Sequence, residues 1–327
     1  MHLPAAFRRS LSVACTLLSA VGLAQPGTPT FPNIHPSWPP VGSHPRQVTR
    51  SAYDNAWPQW SRDGSEIVFA SRRDGDWEIY SMRADGTAPR RLTVSPGRDA
   101  HPIFLPSGRI VFQSPRGFDG PGEVELYTMD ANGDRVRPLV TAPGFDGVPV
   151  PSPNGSQLAF QRGVSRGNGL HWELWLVDSL GRNARQLTRN NWSSQVATWS
   201  PDGRHLAFFA NPDGRDQLFR IELATSAVTA LHRSSGEDRA PSWSPDGREI
   251  AFTTTRFGGN DLVILDLATG ELQRVTAGLE VMAQPGWSRD GQTLLFSAVH
   301  QGVHEVFRVH RNGSGLTRLT TGFEGTR

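Results

Sequence analysis

APSWSPDGREIAFTTTRFGGNDLVILDLATGELQRVT, residues 240–276, is the stretch whose reading decides the fold. A short apolar segment ends in the turn Trp243-Ser244-Pro245-Asp246-Gly247. A second ends at Phe252, a third opens with Asp261-Leu262-Val263, and Arg274-Val275-Thr276 closes the unit. Runs of four to six β-branched or aromatic residues bounded by Gly, Asp, Asn or Pro read as strands. Asp-Gly supplies the positive φ that a tight hairpin requires. The stretch is one small, twisted, four-stranded antiparallel sheet.

The unit recurs. Six copies align on Gly64, Gly108, Gly155, Gly203, Gly247 and Gly291, at spacings of 44, 47, 48, 44 and 44 residues. Their third strands open with an acid or amide: Glu78, Glu125, Glu173, Gln217, Asp261 and Glu305. A lone sheet of this kind exposes apolar surface on both faces. Stacking the sheets radially buries those faces, which is how a β-propeller is built. The sequence therefore predicts an all-β protein, a six-bladed β-propeller of four-stranded antiparallel blades over residues 46–327, with seven blades as the alternative. Trp60, Trp199, Trp243 and Trp287 are expected to wedge between blades, each burying roughly 200 Å² worth about 5 kcal/mol. Either Arg46-Gln47-Val48-Thr49 or Arg318-Leu319-Thr320 is expected to supply the outer strand that closes the ring.

The W-S-P-D-G turn, the I-A-F strand, the E-I-Y strand at Glu78-Ile79-Tyr80 and the closing R-L-T resemble the WD40-like repeats of the TolB-type propeller, over roughly residues 46–320. TolB chains join an α/β domain to the propeller. Here a Pro-rich stretch precedes it, so the resemblance is to the propeller alone. It implies a fold more specifically than an activity, because propellers host many functions.

Composition and the first residues set the remaining bounds. All 33 basic residues are Arg, against 31 acids, and no basic stripe suggests a nucleic-acid partner. Residues 1–24 read as an export signal, with Arg8 and Arg9 before an apolar run from Leu11 to Leu23 and a cut near Ala24. The single cysteine, Cys15, lies inside that segment, so lipidation there competes with full cleavage and the mature chain has no thiol chemistry. Residues 25–45 carry seven prolines and read as a linker. No later segment is apolar enough to span a membrane as a helix. A periplasmic or secreted monomer is expected.

Function is harder to read. An acid recurs where each fourth strand leads into the next blade: Asp54, Asp99, Asp146, Asp238 and, less well aligned, Glu280. Asp99, Asp146 and Asp238 each stand three residues before a proline. One reading is a ring of carboxylates at the channel mouth, able to hold Ca²⁺ through hard oxygen ligands or to capture a basic peptide. The other is turn capping through backbone hydrogen bonds. Arg116, Phe118, Phe145, Arg166 and Trp192 add arginines and aromatics to the same face, the residue types that anchor interfaces. Gly163 to Gly167 matches a nucleophile-elbow pattern but sits in a hairpin, not at a strand-to-helix turn. His101, His171, His300 and His304 are candidate channel histidines. No catalytic constellation is evident. The expected function is non-catalytic binding of an envelope or secreted protein, without a cofactor. The rival is a carbohydrate-acting protein, either a glycan binder or a channel-based metal-dependent lyase.

Overall fold

A computed structural model describes residues 54–116, 124–141, 144–166, 169–189, 192–232, 234–300 and 302–320. Every element in it is a β-strand. Blade one is β1 (Asn55–Trp60), β2 (Glu66–Asp74), β3 (Asp76–Arg83) and β4 (Arg90–Arg91). Blade two is β5 (Ala100–Phe104), β6 (Ile110–Ser114), β7 (Glu125–Met129) and β8 (Arg137–Val140). Blade three is β9 (Phe145–Pro151), β10 (Gln157–Arg166), β11 (Gly169–Asp178) and β12 (Arg185–Gln186). Blade four is β13 (Ser194–Trp199), β14 (His205–Ala210), β15 (Gln217–Glu222) and β16 (Val228–His232). Blade five is β17 (Asp238–Trp243), β18 (Glu249–Thr254), β19 (Asp261–Asp266) and β20 (Leu272–Arg274). In blade six the first strand is split into β21 (Glu280–Val281) and β22 (Gly286–Trp287), followed by β23 (Thr293–His300), β24 (Val303–His310) and β25 (Thr317–Arg318). All pairings within the blades are antiparallel, so the six-bladed propeller stands. Closure at the C-terminal end is by β25 on β24; Arg46 to Thr49, like the signal segment and the linker, lie outside the described residues.

The turn after each first strand shows why the repeat motif has its composition. In blade five Ser244 Oγ donates to Asp246 at 2.6 Å, Asp246 accepts the Arg248 N–H at 3.1 Å, and Ser244 Oγ accepts the Glu249 N–H at 3.0 Å. Gly247 completes the turn at φ 73°, a conformation costly for a residue with a Cβ. The same set recurs around Asp63, whose carboxyl is held down at about 2 by the Ser61 hydroxyl and the Ser65 N–H and hydroxyl.

The recurring acid of the third strand and the threonine of the fourth form a second device. The Leu174 N–H donates to Thr188 Oγ1 at 2.9 Å, and that hydroxyl donates to Glu173 at 2.7 Å. Blades one and six repeat it with Thr93–Glu78 and Thr320–Glu305. Each lock fixes a short outer strand whose ladder is only two residues long. Thr188→Val keeps the volume but leaves the buried Leu174 N–H without its acceptor and takes a donor from the Glu173 carboxylate. It is expected to destabilise the protein by about 2 kcal/mol in urea unfolding; a loss below a few tenths would remove the lock as a stabilising element.

The core is six seams, one between each pair of blades. Blade two's Leu105, Val111 and Leu126 pack on blade three's Leu158, Phe160 and Val177. Blade one's Ile67, Phe69 and Met82 pack on blade six's Leu295, Val306 and Leu319, which joins the ends of the ring. The wedge expected of the tryptophans is present: Trp199 donates to Val150 O at 3.0 Å and Trp287 to Ser242 O at 3.1 Å, each reaching the preceding blade. The seams are tight where a third-to-fourth-strand turn meets the previous blade. A Cβ on Gly181 would lie 1.7 Å from Leu139 O, so only glycine permits that approach.

Candidate functional site

The first strands surround the axis, and five of them break register at one place. At each break stands a non-glycine residue in the left-handed region: Trp57 (φ 54°), His101 (49°), Val148 (50°), Val196 (47°) and Ala240 (52°). A bulge of this kind re-aims a side chain, and each such conformation costs about 1–3 kcal/mol. Four of the five precede a proline, which already disfavours right-handed helical backbone for the residue before it. All five line one central cavity of about 180 Å³.

Glutamines hold the bulges. The Val148 N–H donates to Gln113 Oε1 at 3.2 Å and the Val196 N–H to Gln161 Oε1 at 3.1 Å, in each case across a seam. Gln284 donates to Pro241 O at 2.5 Å and to Ala197 O at 3.3 Å, bridging two further blades.

One corner of the cavity is aromatic and cationic. The Arg98 guanidinium lies 5.1 Å from the Trp57 ring and 5.4 Å from the Trp77 ring. Trp57 also packs against His101, with ring centroids 4.3 Å apart. Burial pushes the His101 imidazole down to about 3, with nearby Arg98 adding to the effect, so this histidine is neutral at physiological pH. Arg239 lines the cavity as a second cation and is tied to Asp216 and Glu237. Phe145 and Trp172 meet edge to face at 5.0 Å on the wall. Among the described residues, no Asp or Glu lines the cavity.

That last fact corrects the expected carboxylate ring. Asp99, Asp146 and Asp238 are fully buried behind the mouth, each against an arginine. Asp146 accepts two bonds of 2.6 Å from Arg162. Asp99 pairs with Arg116, and Asp238 with Thr254 at 2.6 Å and Arg256 at 3.3 Å. Burial raises all three carboxyls above the usual range, and the hydrogen bonds and guanidiniums oppose it. Each of these carboxylates, expected to offer Ca²⁺ a site, is instead engaged by a guanidinium of the protein's own, and Asp99 Oδ1 is buried without a hydrogen-bond partner. Asp54 is partly exposed, pairs with Arg72 at 3.5 Å and accepts the His304 N–H at 3.1 Å from blade six. Glu280 is exposed and out of step with the others; the position three residues before Pro285 is Met282.

The arginines and aromatics divide similarly. Phe145 lines the cavity. Arg116 is consumed by Asp99 and stacks over Phe112 and Tyr127. Trp192 stacks on Phe219 at 6.2 Å and belongs to the seam of blades three and four. Arg166 lies at the end of β10, where side chains are not described, and Phe118 lies outside the described residues. Of the four candidate histidines, His101 lines the cavity. The residues missed by the sequence reading are Trp57, Arg98, Arg239 and the glutamines. One signal for the glutamines was present, since Gln113 and Gln161 directly follow the repeat phenylalanines.

Comparison with known proteins agrees with this architecture. A model of the TolB beta propeller domain matches residues 41–168 and 161–326. Uncharacterized protein Atu1656 of Agrobacterium fabrum is 38% identical over 79 residues, which are 24% of this chain and 27% of that protein. The crystal structure of TolB from Acinetobacter baumannii superposes with a TM-score of 0.63 at 19% identity, covering 79% of this chain and 61% of that one. An oligogalacturonate lyase from Vibrio parahaemolyticus superposes with a TM-score of 0.55 at 13% identity, covering 80% and 92%. The match to Atu1656 thus spans about a quarter of that protein's length. The two superpositions show a shared fold.

Proposed function

The chain belongs to the TolB beta-propeller family, and from that premise we propose that it is a non-catalytic binding module of the cell envelope or exterior, gripping a protein partner at the channel mouth. One observation carries the reading: the cavity is walled by Trp57, Phe145, Trp172, Arg98 and Arg239, with no lining carboxylate among the described residues. Trp and Arg are the side chains that dominate binding energy at interfaces. With Arg239 tied to Asp216 and Glu237, Arg98 is the lining cation that favours a partner segment bearing acidic side chains or a chain-terminal carboxylate, the reverse of the basic peptide expected from a carboxylate ring. The bulges give this lining a rigid frame, which lowers the entropy lost on binding. No helix among the described residues is long and apolar enough to cross a membrane. Export rests on the signal-like residues 1–24.

Capturing partners from an envelope extract on the immobilised full chain, beside an Arg98→Gln variant, tests the proposal. A retained protein whose affinity falls at least about tenfold in the variant, with Tm unchanged, is the expected result. Equal retention by both chains moves the binding surface away from the channel.

The same lining supports a second reading, capture of an acidic glycan, because aromatic faces stack on sugar rings and guanidiniums fork onto carboxylates. Titration with oligogalacturonate separates the two: saturation abolished by Arg98→Gln favours the glycan, and no binding leaves the protein partner.

A further inference from the structure

The opposite face of the propeller carries a second concavity that the channel reading does not use. It lies at the seam of blades two and three, where the first-to-second-strand turns emerge, and encloses about 630 Å³. That is within the range of small-molecule sites, roughly 300–1,000 Å³. Three arginines line it: Arg62 from the blade-one turn, Arg109 from the blade-two turn and Arg137 from β8. Arg62 and Arg137 are exposed and enter none of the ion pairs found among the described residues. Arg109 donates to Thr128 Oγ1 at 3.2 Å and stands 3.7 Å from Asp130, while its Nη2 is buried with no hydrogen-bond partner. Asp130 is shared with Arg135, so the carboxylate that faces Arg109 is already paired from outside the cleft. Apolar side chains share the lining with Ser107, Asn154 and Ser179, among them buried Leu105 and Leu180, which is 61% exposed.

We propose that this cleft binds a phosphate monoester carried on an apolar body. Guanidiniums are pure donors with a planar fork that fits oxyanions. Three of them around one cleft exceed what a single carboxylate offsets, whereas a phosphate monoester brings a charge near −2 at neutral pH. The unpaired Nη2 of Arg109 gains a partner when the anion arrives. Leu105 and Leu180 give a purely inorganic anion nothing to touch, so the ligand's organic part supplies the remaining contact. The same chemistry is offered by a soluble aryl or alkyl phosphate and by a phosphatidic-acid headgroup.

Calorimetric titration of the full chain with phenyl phosphate at low salt tests the site, with inorganic phosphate alongside. The parent is expected to saturate, to bind phenyl phosphate more tightly than phosphate, and to lose about tenfold in affinity for each of Arg62→Gln and Arg137→Gln. Both residues are exposed, so Tm is expected to stay unchanged, and Arg137→Glu is expected to abolish binding. Flotation with phosphatidylcholine vesicles containing phosphatidic acid then identifies the source. Capture lost in the double Gln variant assigns the site to a lipid headgroup; capture no better than by phosphatidylcholine alone assigns it to a soluble ester. No saturation by phenyl phosphate up to about 10 mM, or equal affinity in parent and double variant, overturns the proposal.

Discussion

Arg162→Met is expected to lower the unfolding free energy by about 3–5 kcal/mol at pH 7.5, the loss typical of a buried ion pair stripped of one partner. In a domain of this size that is a fall in Tm on the order of 10 °C. Asp146 is fully buried and takes both its bonds of 2.6 Å from Arg162, whose own side chain is 12% exposed. Methionine retains much of the packing of the Arg162 stem over Trp175 and Phe160, rings that the guanidinium approaches at 4.6 and 5.3 Å. The cost is therefore chiefly electrostatic. Its signature is a pH dependence of definite sign. Burial already holds the Asp146 carboxyl above its usual range, and removing the cation raises it further. A carboxyl with a raised folded pKa is destabilising above that pKa and regains stability as acid protonates it. The variant should thus lie closer to the parent at pH 5 than at pH 7.5. Asp146→Leu/Arg162→Met should recover most of the loss, since a buried pair replaced by apolar groups is often neutral. Parallel melting curves at both pH values, or a deficit unrelieved in the double variant, would refute the clamp.

The clamps also explain how far the sequence could be read. Blades, turns and inter-blade tryptophans were legible because each is written locally: Ser244, Asp246 and Gly247 build their turn from residues two or three apart. The acids of the first strands were visible as a pattern but not in role. Asp146 meets Arg162 16 residues on, and that pairing exists only once β9 and β10 share a sheet. Charge repeated around a ring reads in one dimension as a mouth, while in three dimensions the first strand turns it away from the axis. A residue two places after Asp99, Asp146 and Asp238, and three after Asp54, faces the cavity instead, because of a bulge announced only by the proline that follows four of the five: Trp57, His101, Val148, Val196 and Ala240 share a backbone conformation and no side-chain chemistry. The ligand-facing surface is therefore the least regular part of the repeat, as expected where the repeat fixes the frame and the exceptions fix what binds.

The second large effect is a loss of stability as pH rises from about 4.5 to about 7, up to about 3 kcal/mol and assigned to Glu305. Glu305 is 1% exposed, and burial pushes its carboxyl up to about 7 against the opposing Thr320 hydroxyl and Arg318 guanidinium. Its counterpart Glu78 receives Arg91 at 2.8 Å, Thr93 at 2.5 Å and the Ser95 N–H at 2.8 Å. Glu305 has the threonine bond, a side-chain hydrogen bond with Asn55 and the Arg318 guanidinium at 3.6 Å. The sign follows from proton counting. Between the two pKa values the folded state holds a proton that the unfolded chain has released, so raising the pH draws the equilibrium toward unfolding. Glu305→Gln, which imitates the protonated acid, is expected to flatten the curve of Tm against pH between 5 and 8 and to be the more stable protein at pH 8. Coincident curves for parent and variant would exclude Glu305 as the titrating group. The location gives the effect its consequence. Glu305 lies in blade six, hydrogen-bonded to the Asn55 side chain and within electrostatic reach of Arg73, both in blade one, at the seam that joins the ends of the ring. A charge appearing there weakens the seam at which the two ends of the ring meet, so opening should begin at that seam, with amide exchange at pH 8 faster in β1 and β24 than in the strands of blades three and four.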